Sequence, residues 1–338
     1  MRILLHTSFY PKIGGIETVA GLLAHEWYKI GEEVTIASDV SHGPENTENF
    51  PFPVYYRPGP LKWMALLRWC DVYLQFNVSL KVTWPLLLIN RPLIISHHGY
   101  YWLTRDGARD WREKLKLRIA SRSTNIFVSS AIEREIKVQG EVIPNPYDET
   151  LFHPDENTPR STELAFVGRL VSDKGVDCLL RALELLKKKK ILPKLSIIGD
   201  GPERPGLERL CSELDLCDQV HFFGAKSQFE VSALLRSHRI LVVPSLWAEP
   251  FGMVALEGLA TGCFVIGSEG GGLPEAIGRC GLTFPNGNVE ALAEKIEMAL
   301  TNQSVITSLL EELEVHLTKH RPAIVAGRYI EFMRRVLA

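Results

Sequence analysis

Two glutamates eight positions apart, Glu249 and Glu257, are the residues of this sequence whose types and spacing say most about chemistry. Between them, Pro250 cannot lie in a helix interior, and Gly252 can take the backbone angles of a turn. From Gly252 onward the apolar residues follow a helical period. Glu249 is therefore expected on the loop before a helix, and Glu257 on the second turn of that helix.

The beginning of this predicted helix is a candidate anion site, because the first amides of a helix have no partners within it. A carboxylate on either side of a phosphate site suits a ligand with hydroxyl groups at both ends and phosphate in the middle. A nucleotide-diphosphate sugar is such a ligand, and the sequence predicts that it binds here.

A second candidate site, Gly168-Arg169 with Lys174-Gly175, follows the first strand expected in the C-terminal half. Ligands of open α/β sheets usually bind at the carboxyl ends of the strands, where this turn lies. Arg169 can hold a diphosphate through its bidentate fork, and Lys174 can do so as a point charge. The alternative is that both side chains are ordinary surface charges.

Three glycine-rich turns also follow expected strands. Each can make a tight connection or let a ligand approach the backbone. The first does not have the GxGxxG spacing of dinucleotide-binding proteins, and the last has three consecutive glycines, which are costly in conformational entropy. The turns contain Gly14 and Gly15, then Gly199, Asp200 and Gly201, and finally Gly270, Gly271 and Gly272.

His98 follows the predicted strand Leu93–Ser96, so it also lies at the carboxyl end of a strand. It can donate a hydrogen bond to a substrate hydroxyl or stabilise developing charge; the alternative is a satisfied structural histidine. No pair of aspartates separated by one residue follows a predicted strand. The predicted site therefore contains no metal, and the two cations replace it at the diphosphate.

The elements that must position these residues alternate between short apolar runs, such as Ile3–His6 and Ile240–Val243, and longer amphipathic segments such as Gly15–Lys29. This alternation occurs twice and predicts parallel sheets with helices on both faces. A polar, proline-rich segment at 143–160 separates the halves. The predicted fold is α/β, with domains at residues 1–155 and 156–318 and a last helix within residues 319–338.

Composition excludes several classes of protein. The chain has 338 residues with 46% hydrophobic content, which is ordinary for globular domains, and its net charge of −2 gives no reason to expect nucleic-acid binding. The six cysteines form no CxxC pair, which argues against a zinc site and fits a reducing cytoplasm. No apolar run reaches the roughly 18 residues of a membrane span. A cytoplasmic protein is expected.

In order and spacing, these motifs resemble the retaining GT-B glycosyltransferases of family 4, the group with the glycosyl-transferase group 1 signature. The resemblance extends over nearly the whole chain, and its most specific part is Glu249 and Glu257 with Pro-Phe-Gly between them. It departs from the family pattern at Pro146-Tyr147, where many members have Gly followed by Val or Ile. The other matching motifs are Gly14-Gly15, His98-Gly99, Pro144-Asn145, Gly168-Arg169, Lys174-Gly175, Gly199-Asp200-Gly201, Pro244-Ser245 and Gly271-Gly272-Leu273-Pro274-Glu275.

The resemblance implies two Rossmann-like domains facing a cleft, the first for the acceptor and the second for the donor, with a last helix that crosses back to the first. It implies that Arg169 and Lys174 bind the diphosphate and stabilise the leaving group. Glu249 would contact the donor sugar, Glu257 the ribose, and His98 the region near the reacting carbon. The predicted catalytic set is His98, Arg169, Lys174 and Glu249. The predicted donor-binding set is Gly14, Gly15, Gly168, Gly199, Asp200, Gly201, Phe251, Gly252, Met253, Val254 and Glu257.

The resemblance further implies transfer of a hexose, with retention, from a UDP-sugar or from GDP-mannose to a glycan or lipid-linked acceptor, without a metal or other cofactor. No nucleophile stands out in the sequence, which agrees with a front-face mechanism in which the leaving diphosphate accepts the proton of the acceptor. Two alternatives remain. They are a catalytically silent nucleotide-sugar binder and a dinucleotide oxidoreductase, and the missing GxGxxG disfavours the second.

The N-terminal half carries a charge pattern relevant to the acceptor. Residues 61–122 contain eleven Lys and Arg against four Asp and Glu, together with several tryptophans and tyrosines. A basic, aromatic-rich face of this kind can dock on the anionic lipid headgroups of the inner face of the cytoplasmic membrane, beside a lipid-linked acceptor. The alternative is a solvated helix face with tryptophans in the core.

Overall fold

The computed structural model describes residues 1–10, 14–41, 49–101 and 111–338. The chain divides into unit 1, Met1–Pro146 with His320–Ala338, and unit 2, Tyr147–Lys319. The first division therefore precedes the predicted boundary at residue 155. The reason is that the segment after Pro146 is bonded to unit 2, where the carbonyl of Leu151 accepts hydrogen bonds from Ser232 Oγ at 2.6 Å and Arg236 Nη2 at 2.9 Å.

Unit 1 is built from alternating strands and helices. Its strands are β1 (Arg2–Thr7), β2 (Glu33–Ser38), β3 (Val54–Tyr56), β4 (Val72–Phe76), β5 (Leu93–His97), β6 (Thr124–Phe127) and β7 (Glu141–Val142). Its helices are α1 (Gly15–Lys29), α2 (Pro60–Trp69), α3 (Leu80–Thr83), α4 (Trp111–Ala120), α5 (Ser130–Ile136) and the C-terminal α14 (Pro322–Leu337), with a 3-10 turn at Trp84–Leu87. The described strands form one parallel sheet in the order β3-β2-β1-β4-β5-β6-β7.

The C-terminal helix α14 belongs to unit 1, in agreement with the prediction that the last helix crosses back to the first domain. Trp27 of α1 donates from Nε1 to the carbonyl of Ala326 at 3.1 Å, and its ring packs against Tyr329. The guanidinium of Arg334 lies 3.0 Å from the buried carboxylate of Glu32. The buried residues of α14 recur at helical spacing, so one apolar face covers α1.

Unit 2 repeats the same plan. Its strands are β8 (Thr162–Val167), β9 (Leu195–Ile198), β10 (Val220–Gly224), β11 (His238–Val243), β12 (Phe264–Ser268) and β13 (Gly281–Phe284). Its helices are α6 (Val176–Lys188), α7 (Arg204–Glu213), α8 (Gln228–Arg236), α9 (Met253–Ala260), α10 (Leu273–Ile277), α11 (Val289–Thr301), α12 (Gln303–Leu310) and α13 (Leu313–Thr318), with a 3-10 turn at Ser172–Lys174. The strands form one parallel sheet in the order β10-β9-β8-β11-β12-β13.

Both sheets are covered on their two faces, and their central strands are continuous apolar runs for that reason. Ile3, Leu4 and Leu5 of β1 are fully buried, as are Ile240 and Leu241 of β11. The α/β architecture thus follows the predicted alternation. Because all strands in a sheet run the same way, the loops after the strands gather at one carboxyl edge, where ligands of such sheets bind.

The elements of unit 1 that were not predicted include β3 and α2. The strand β3 has only three residues, and prolines stand close to it on both sides at Pro53 and Pro58, which hides its pattern. Helix α2 begins at Pro60, a position where the fixed φ of proline suits the first turn. Its buried residues, Trp63, Leu66 and Leu67, cover the sheet beside β1.

Candidate functional site

Glu249 lies at the carboxyl edge of the unit 2 sheet, on the loop between β11 and α9, as predicted. Its Oε1 accepts a hydrogen bond from Lys174 Nζ at 2.5 Å and another from Ser245 Oγ at 2.7 Å. The carboxylate is 12% exposed and the lysine side chain 27% exposed. No described residue bonds Oε2, so this oxygen is available to a ligand. The structure thus brings together two residues that stand 75 positions apart.

The loops that carry this pair are packed directly against each other. The loop after β8 turns at Gly175, whose φ of +65° is left-handed, and a Cβ there would lie 2.0 Å from the carbonyl oxygen of Pro244. The amide of Leu246 donates to the carbonyl of Asp173 at 2.9 Å. Close backbone contact therefore fixes where Lys174 and Glu249 stand relative to each other.

Arg169 lies exposed in the same loop after β8, and its side chain bonds no described residue. Beside it, Gly168 and Gly199 cross so closely that a Cβ on Gly199 would lie 1.8 Å from the carbonyl oxygen of Gly168. Arg169 is thus on the predicted edge of the sheet with its guanidinium free of any described partner. Its contact with a diphosphate remains a prediction.

The turn Gly199-Asp200-Gly201 is explained by packing between loops. A Cβ on Gly201 would lie 2.3 Å from the carbonyl oxygen of Leu170, and the amide of Leu170 donates to the carbonyl of Asp200 at 2.9 Å. The carboxylate of Asp200 accepts from the amide of Gly201 at 2.7 Å and lies 3.2 Å from Arg204. These contacts account for the residue types without a ligand.

The triple-glycine turn after β12 supports the backbone of Glu249. The amide of Gly272 donates to the carbonyl of Glu249 at 2.7 Å, and a Cβ on Gly271 would lie 2.2 Å from that same carbonyl oxygen. The amide of Gly270 donates to Asn286 Oδ1 at 2.7 Å, and Asn286 Nδ2 donates to the carbonyl of Ser245 at 2.9 Å. The glycines therefore hold the Glu249 loop in place.

Helix α9 begins as the sequence predicts, directly after Gly252. This glycine has a φ of +106°, and no side chain caps the helix. Met253 and Val254 form its first turn, while Phe251 is buried beneath the loop. The amides of this first turn are thus left for an anionic ligand or for water.

Glu257 lies on the second turn of α9 in surroundings that disfavour its charged form. Burial, together with the nearby charge of Asp148, raises the pKa of Glu257 to about 7. A carboxyl group whose pKa lies near physiological pH is common at binding and catalytic sites. Two hydroxyl groups of a ligand that donate hydrogen bonds to the Glu257 carboxylate would favour its ionised form.

His97 and His98 stand side by side after β5 but differ in their partners. His97 is satisfied at both ring nitrogens, with Tyr101 OH at 2.6 Å and Asn125 Oδ1 at 2.9 Å. The Nε2 of His98 lies 2.9 Å from Ser96 Oγ, whereas its Nδ1 is buried with no partner among the described residues. His97 is thus the structural histidine, and His98 retains a free ring nitrogen.

The Gly14-Gly15 turn lies at the start of α1, after residues 11–13, which are outside the described part of the chain. Glu17 is buried in the first turn of α1, and a Cβ on Gly14 would lie 2.7 Å from its Oε2. A carboxylate already stands beside this helix start, where negative charge is favourable. The predicted approach of a phosphate to Gly15 remains a prediction.

Several residues that shape the site were not among the predicted site residues. Ser245 bonds Glu249, Asn286 links two loops, and Tyr329 and Asn77 hold the His98 region. Ser245 stands four positions before Glu249, and that spacing was a usable signal. Asn286 and Tyr329 gave no local signal, because their partners are distant in sequence.

The described residues contain no group of three or more His, Cys, Asp or Glu side chains arranged to hold a metal ion. Nor do they contain a helix with the length and apolar character that a membrane span needs.

Comparison with known proteins gives matches of three kinds. The family model of glycosyl transferases group 1 matches residues 148–316, which is half of the chain. The chain is 32% identical over 188 residues to an MMP alpha-(1->4)-mannosyltransferase of Mycolicibacterium hassiacum, covering 56% of this chain and 44% of that protein. It is 35% identical over 136 residues to a D-inositol 3-phosphate glycosyltransferase of Mycobacteroides abscessus, covering 39% and 30%. The chain thus matches less than half the length of these relatives.

Solved structures are similar over nearly the whole chain. A sucrose-phosphate synthase of Thermosynechococcus elongatus has a TM-score of 0.81 at 22% identity, with 99% of this chain and 98% of that chain covered. Anabaena HepE in complex with UDP also has a TM-score of 0.81, at 18% identity, with 99% and 100% covered. At these identities the likeness shows the fold, and it confirms the predicted fold class.

Proposed function

The chain belongs to the group 1 glycosyl transferases and has the GT-B fold, and we propose that it is a retaining hexosyltransferase that uses a nucleotide-diphosphate sugar. The observation that carries this proposal is the contact of Lys174 with Glu249 at the carboxyl edge of the unit 2 sheet. This contact joins the motif of Lys174, predicted to bind the diphosphate, to the motif of Glu249, predicted to contact the donor sugar.

Each side chain of this edge takes a role that suits its chemistry. Lys174 and Arg169 neutralise the diphosphate, and the uncapped first turn of α9 offers it backbone amides. The free Oε2 of Glu249 accepts a hydrogen bond from a hydroxyl of the transferred sugar. Glu257 accepts hydrogen bonds from the two ribose hydroxyls when it is ionised. The ion pair with Glu249 keeps the ammonium of Lys174 in place before the donor binds.

The reaction follows from these roles without a protein nucleophile. As the bond from the anomeric carbon to the diphosphate breaks, negative charge grows on the leaving oxygen, and Arg169 and Lys174 stabilise it. The leaving diphosphate takes the proton of the acceptor hydroxyl, which attacks from the same face, so the configuration is retained. Positive charge from these two side chains makes the proposed transfer independent of a metal ion. His98 donates a hydrogen bond from Nδ1 to a substrate hydroxyl.

For the donor we propose a UDP-sugar, with GDP-mannose as the alternative. Similar solved structures include complexes of HepE with UDP and with UDP-glucose, which favours the first. A similar curated protein is named as a mannosyltransferase, which favours the second. The proposed acceptor is a glycan or a lipid-linked sugar.

A panel of nucleotide sugars tests the proposal by thermal shift, because a ligand at 100 times its Kd stabilises the native state by about 2.7 kcal/mol. We expect one donor to raise Tm clearly and to release nucleoside diphosphate slowly without an acceptor. A donor that binds without ever releasing its diphosphate indicates the silent binder. A Tm raised only by a nicotinamide dinucleotide contradicts the proposal.

We further propose that unit 1 contacts anionic membranes through a surface that includes the 3-10 turn and α4. The exposed apolar side chains are Trp84, Leu87, Leu88, Trp111 and Leu115, and we call this set with its cations the basic apolar surface. Residues 84–91 and 111–122 carry six Lys and Arg against one Glu. Exposed apolar groups flanked by cations suit a headgroup layer. Trp102, Arg105 and Arg109 of the predicted face lie outside the described residues, and Trp63 is in the core.

A further inference from the structure

A charged cavity of about 450 Å³ lies at the carboxyl edge of the unit 1 sheet, on the side of β1, β2 and β3. The proposed donor site and the His98 network do not include its residues. We call it the edge cavity. Its polar and aromatic lining consists of His6, Ser38, Asp39, Arg57, Trp63 and Lys81.

The sheet itself brings these residues together. Ser38 is the last residue of β2 and pairs with Tyr56 at the end of β3, so Asp39 and Arg57 follow neighbouring strand ends. His6 pairs with Ala37 one position earlier along the same edge. This convergence of strand ends is the usual place for a ligand in an open parallel sheet.

The edge cavity carries more positive than negative charge. Asp39 Oδ2 lies 3.2 Å from His6 Nε2. This contact with His6, and then the charges of Lys81 and Arg57, lower the pKa of Asp39 below its usual value, against the opposing effect of its partial burial. At neutral pH one carboxylate therefore stands beside the two permanent cations, Arg57 and Lys81, which leaves an excess of positive charge.

Hydrogen bonds fix Arg57 in place but leave part of its guanidinium without partners. Its Nε donates to the carbonyl of Asp39 at 2.9 Å, and its amide donates to the carbonyl of Ser38 at 2.8 Å. Its φ of +43° lies in the left-handed region, which costs a non-glycine residue about 1 kcal/mol or more. Its two terminal nitrogens bond no described residue. The backbone thus holds a strained conformation that presents the end of the guanidinium with unused donors.

Other donors of the edge cavity are also unused. The ammonium of Lys81 makes no ion pair within the described part of the chain. Trp63 is 3% exposed, and its Nε1 has no hydrogen-bond partner among the described residues; the same is true of Nδ1 of the buried His6. Buried donors without partners are uncommon in native proteins, and functional sites are among the places where they occur.

We propose that the edge cavity binds the acceptor, and that this acceptor is a sugar or polyol carrying an anionic group, a phosphate or a carboxylate. The fork of Arg57 and the ammonium of Lys81 hold the anion. Trp63 and the pair of Asp39 with His6 take the neighbouring hydroxyls. An uncharged glycan would leave both cations unpaired, so the charge of the cavity selects against it. Identifying the bound molecule as the acceptor rests on the proposed function.

The position of the edge cavity suits this role. Its residues lie at the carboxyl edge of the unit 1 sheet, and His98 follows β5 at the same edge. His6 lies in β1, and β4 separates β1 from β5, so the β1 side of the cavity is two strand spacings, about 10 Å, from β5. Arg57 follows β3 on the other side of the cavity, so a molecule anchored there by its anion lies with its other end toward β1 and β4.

Three probes that differ at one carbon test the proposal by calorimetry on the full chain: glucose 6-phosphate, glucuronate and glucose. We expect the two anions to bind at least tenfold more tightly than glucose, and their affinity to fall with added salt. Arg57→Gln and Lys81→Gln are each expected to weaken anion binding by about tenfold. The matched control Arg68→Gln removes an exposed cation of α2 outside the cavity and is expected to leave Kd unchanged.

A second arm separates a free acceptor from a lipid-borne one. Phosphatidylcholine vesicles with and without phosphatidylinositol are titrated with the wild type and with the same three variants. Dependence on Arg57 and Lys81, but not on Arg68, in either arm supports the proposal and identifies the source of the anion. Equal binding of glucose and glucose 6-phosphate, or variants that match the wild type in both arms, would overturn it. The thermal shift with nucleotide sugars tests the proposed function independently of these titrations.

Discussion

The hydroxyl of Tyr329 lies 2.7 Å from the hydroxyl of Ser96, a residue 233 positions earlier in the chain. Ser96 Oγ in turn lies 2.9 Å from Nε2 of His98. Burial lowers the pKa of His98 to about 3, so its ring is neutral at physiological pH. A relay in which Tyr329 donates to Ser96, and Ser96 donates to Nε2, leaves the proton of His98 on Nδ1. We propose that this relay operates, so that the C-terminal helix sets which nitrogen of His98 donates.

Tyr329→Phe tests this relay. Removing the hydroxyl frees Ser96 to rotate and weakens its hold on the His98 tautomer, so we expect kcat to fall by about tenfold with little change in the KM of the donor. His98→Ala removes the donor itself and is expected to cost on the order of 10²–10³ in kcat. Steady-state kinetics with the identified donor provide both values.

The control for Tyr329→Phe is Tyr101→Phe, which removes the hydroxyl bonded to the structural His97. That variant is expected to lose stability of about 1–2 kcal/mol, because a buried hydrogen bond is lost. Its kcat is expected to stay near the wild-type value. Equal losses of kcat in the two tyrosine variants would show that the relay has no special role.

Lys174→Ala is expected to abolish most turnover, by on the order of 10²–10³, while the fold stays intact. The ammonium is a proposed contact of the leaving diphosphate, and no other cation pairs with Glu249 among the described residues. Ser245→Ala leaves that ion pair in place, so a loss of only about tenfold is expected. Lys226→Ala, which breaks an exposed pair with Glu230, is the control. An unchanged turnover number in Lys174→Ala would refute the assignment.

Donor affinity is expected to depend on pH through Glu257, whose pKa is raised to about 7. Ribose hydroxyls donate to the ionised form, and the ionised fraction rises about tenfold between pH 6 and pH 8 for such a pKa. Kd of the nucleotide sugar should therefore fall by about that factor over this range. Glu257→Gln cannot ionise, so its Kd should be weaker and flat with pH in the same calorimetric titration.

The same group should affect stability with the opposite trend. Its folded-state pKa of about 7 lies above the ordinary value of 4.5, so the native state binds more protons than the unfolded state between these values. The free energy of unfolding should therefore fall as pH rises from about 4.5 to about 7 and change no further above that range. Denaturant unfolding of Glu257→Gln should lack this decline. A donor Kd that rises with pH would contradict the role given to Glu257.

Liposome flotation tests the basic apolar surface. The wild type is expected to float with vesicles that contain anionic lipid at low salt and to be released as salt screens the cations. Leu87→Glu with Leu88→Glu places charge on the two most exposed leucines of this surface and should abolish flotation. Phe229→Glu changes a residue that is 71% exposed in unit 2 and is the control. A wild type that stays in the dense fraction at low salt would remove the membrane proposal.

The sequence by itself determined the fold class and the local position of each motif. Apolar runs such as Ile3–His6 and Ile240–Val243 were predicted as strands covered on both faces, because short apolar runs that alternate with longer amphipathic segments are typical of parallel sheets. Pro250 and Gly252 ended a loop and began a helix for local steric reasons, so the places of Glu249 and Glu257 were predictable. Strands as short as β3 and β7 carried too few residues for a pattern.

Only the tertiary structure decided which distant residues meet. The bond between Lys174 and Glu249 exists because β8 and β11 are neighbours in the sheet and a glycine lets their loops touch. The edge cavity and the relay from Tyr329 to His98 likewise join residues that share no local pattern. Local sequence specifies propensity over a few residues, whereas strand order and helix docking are set by burial across the whole domain.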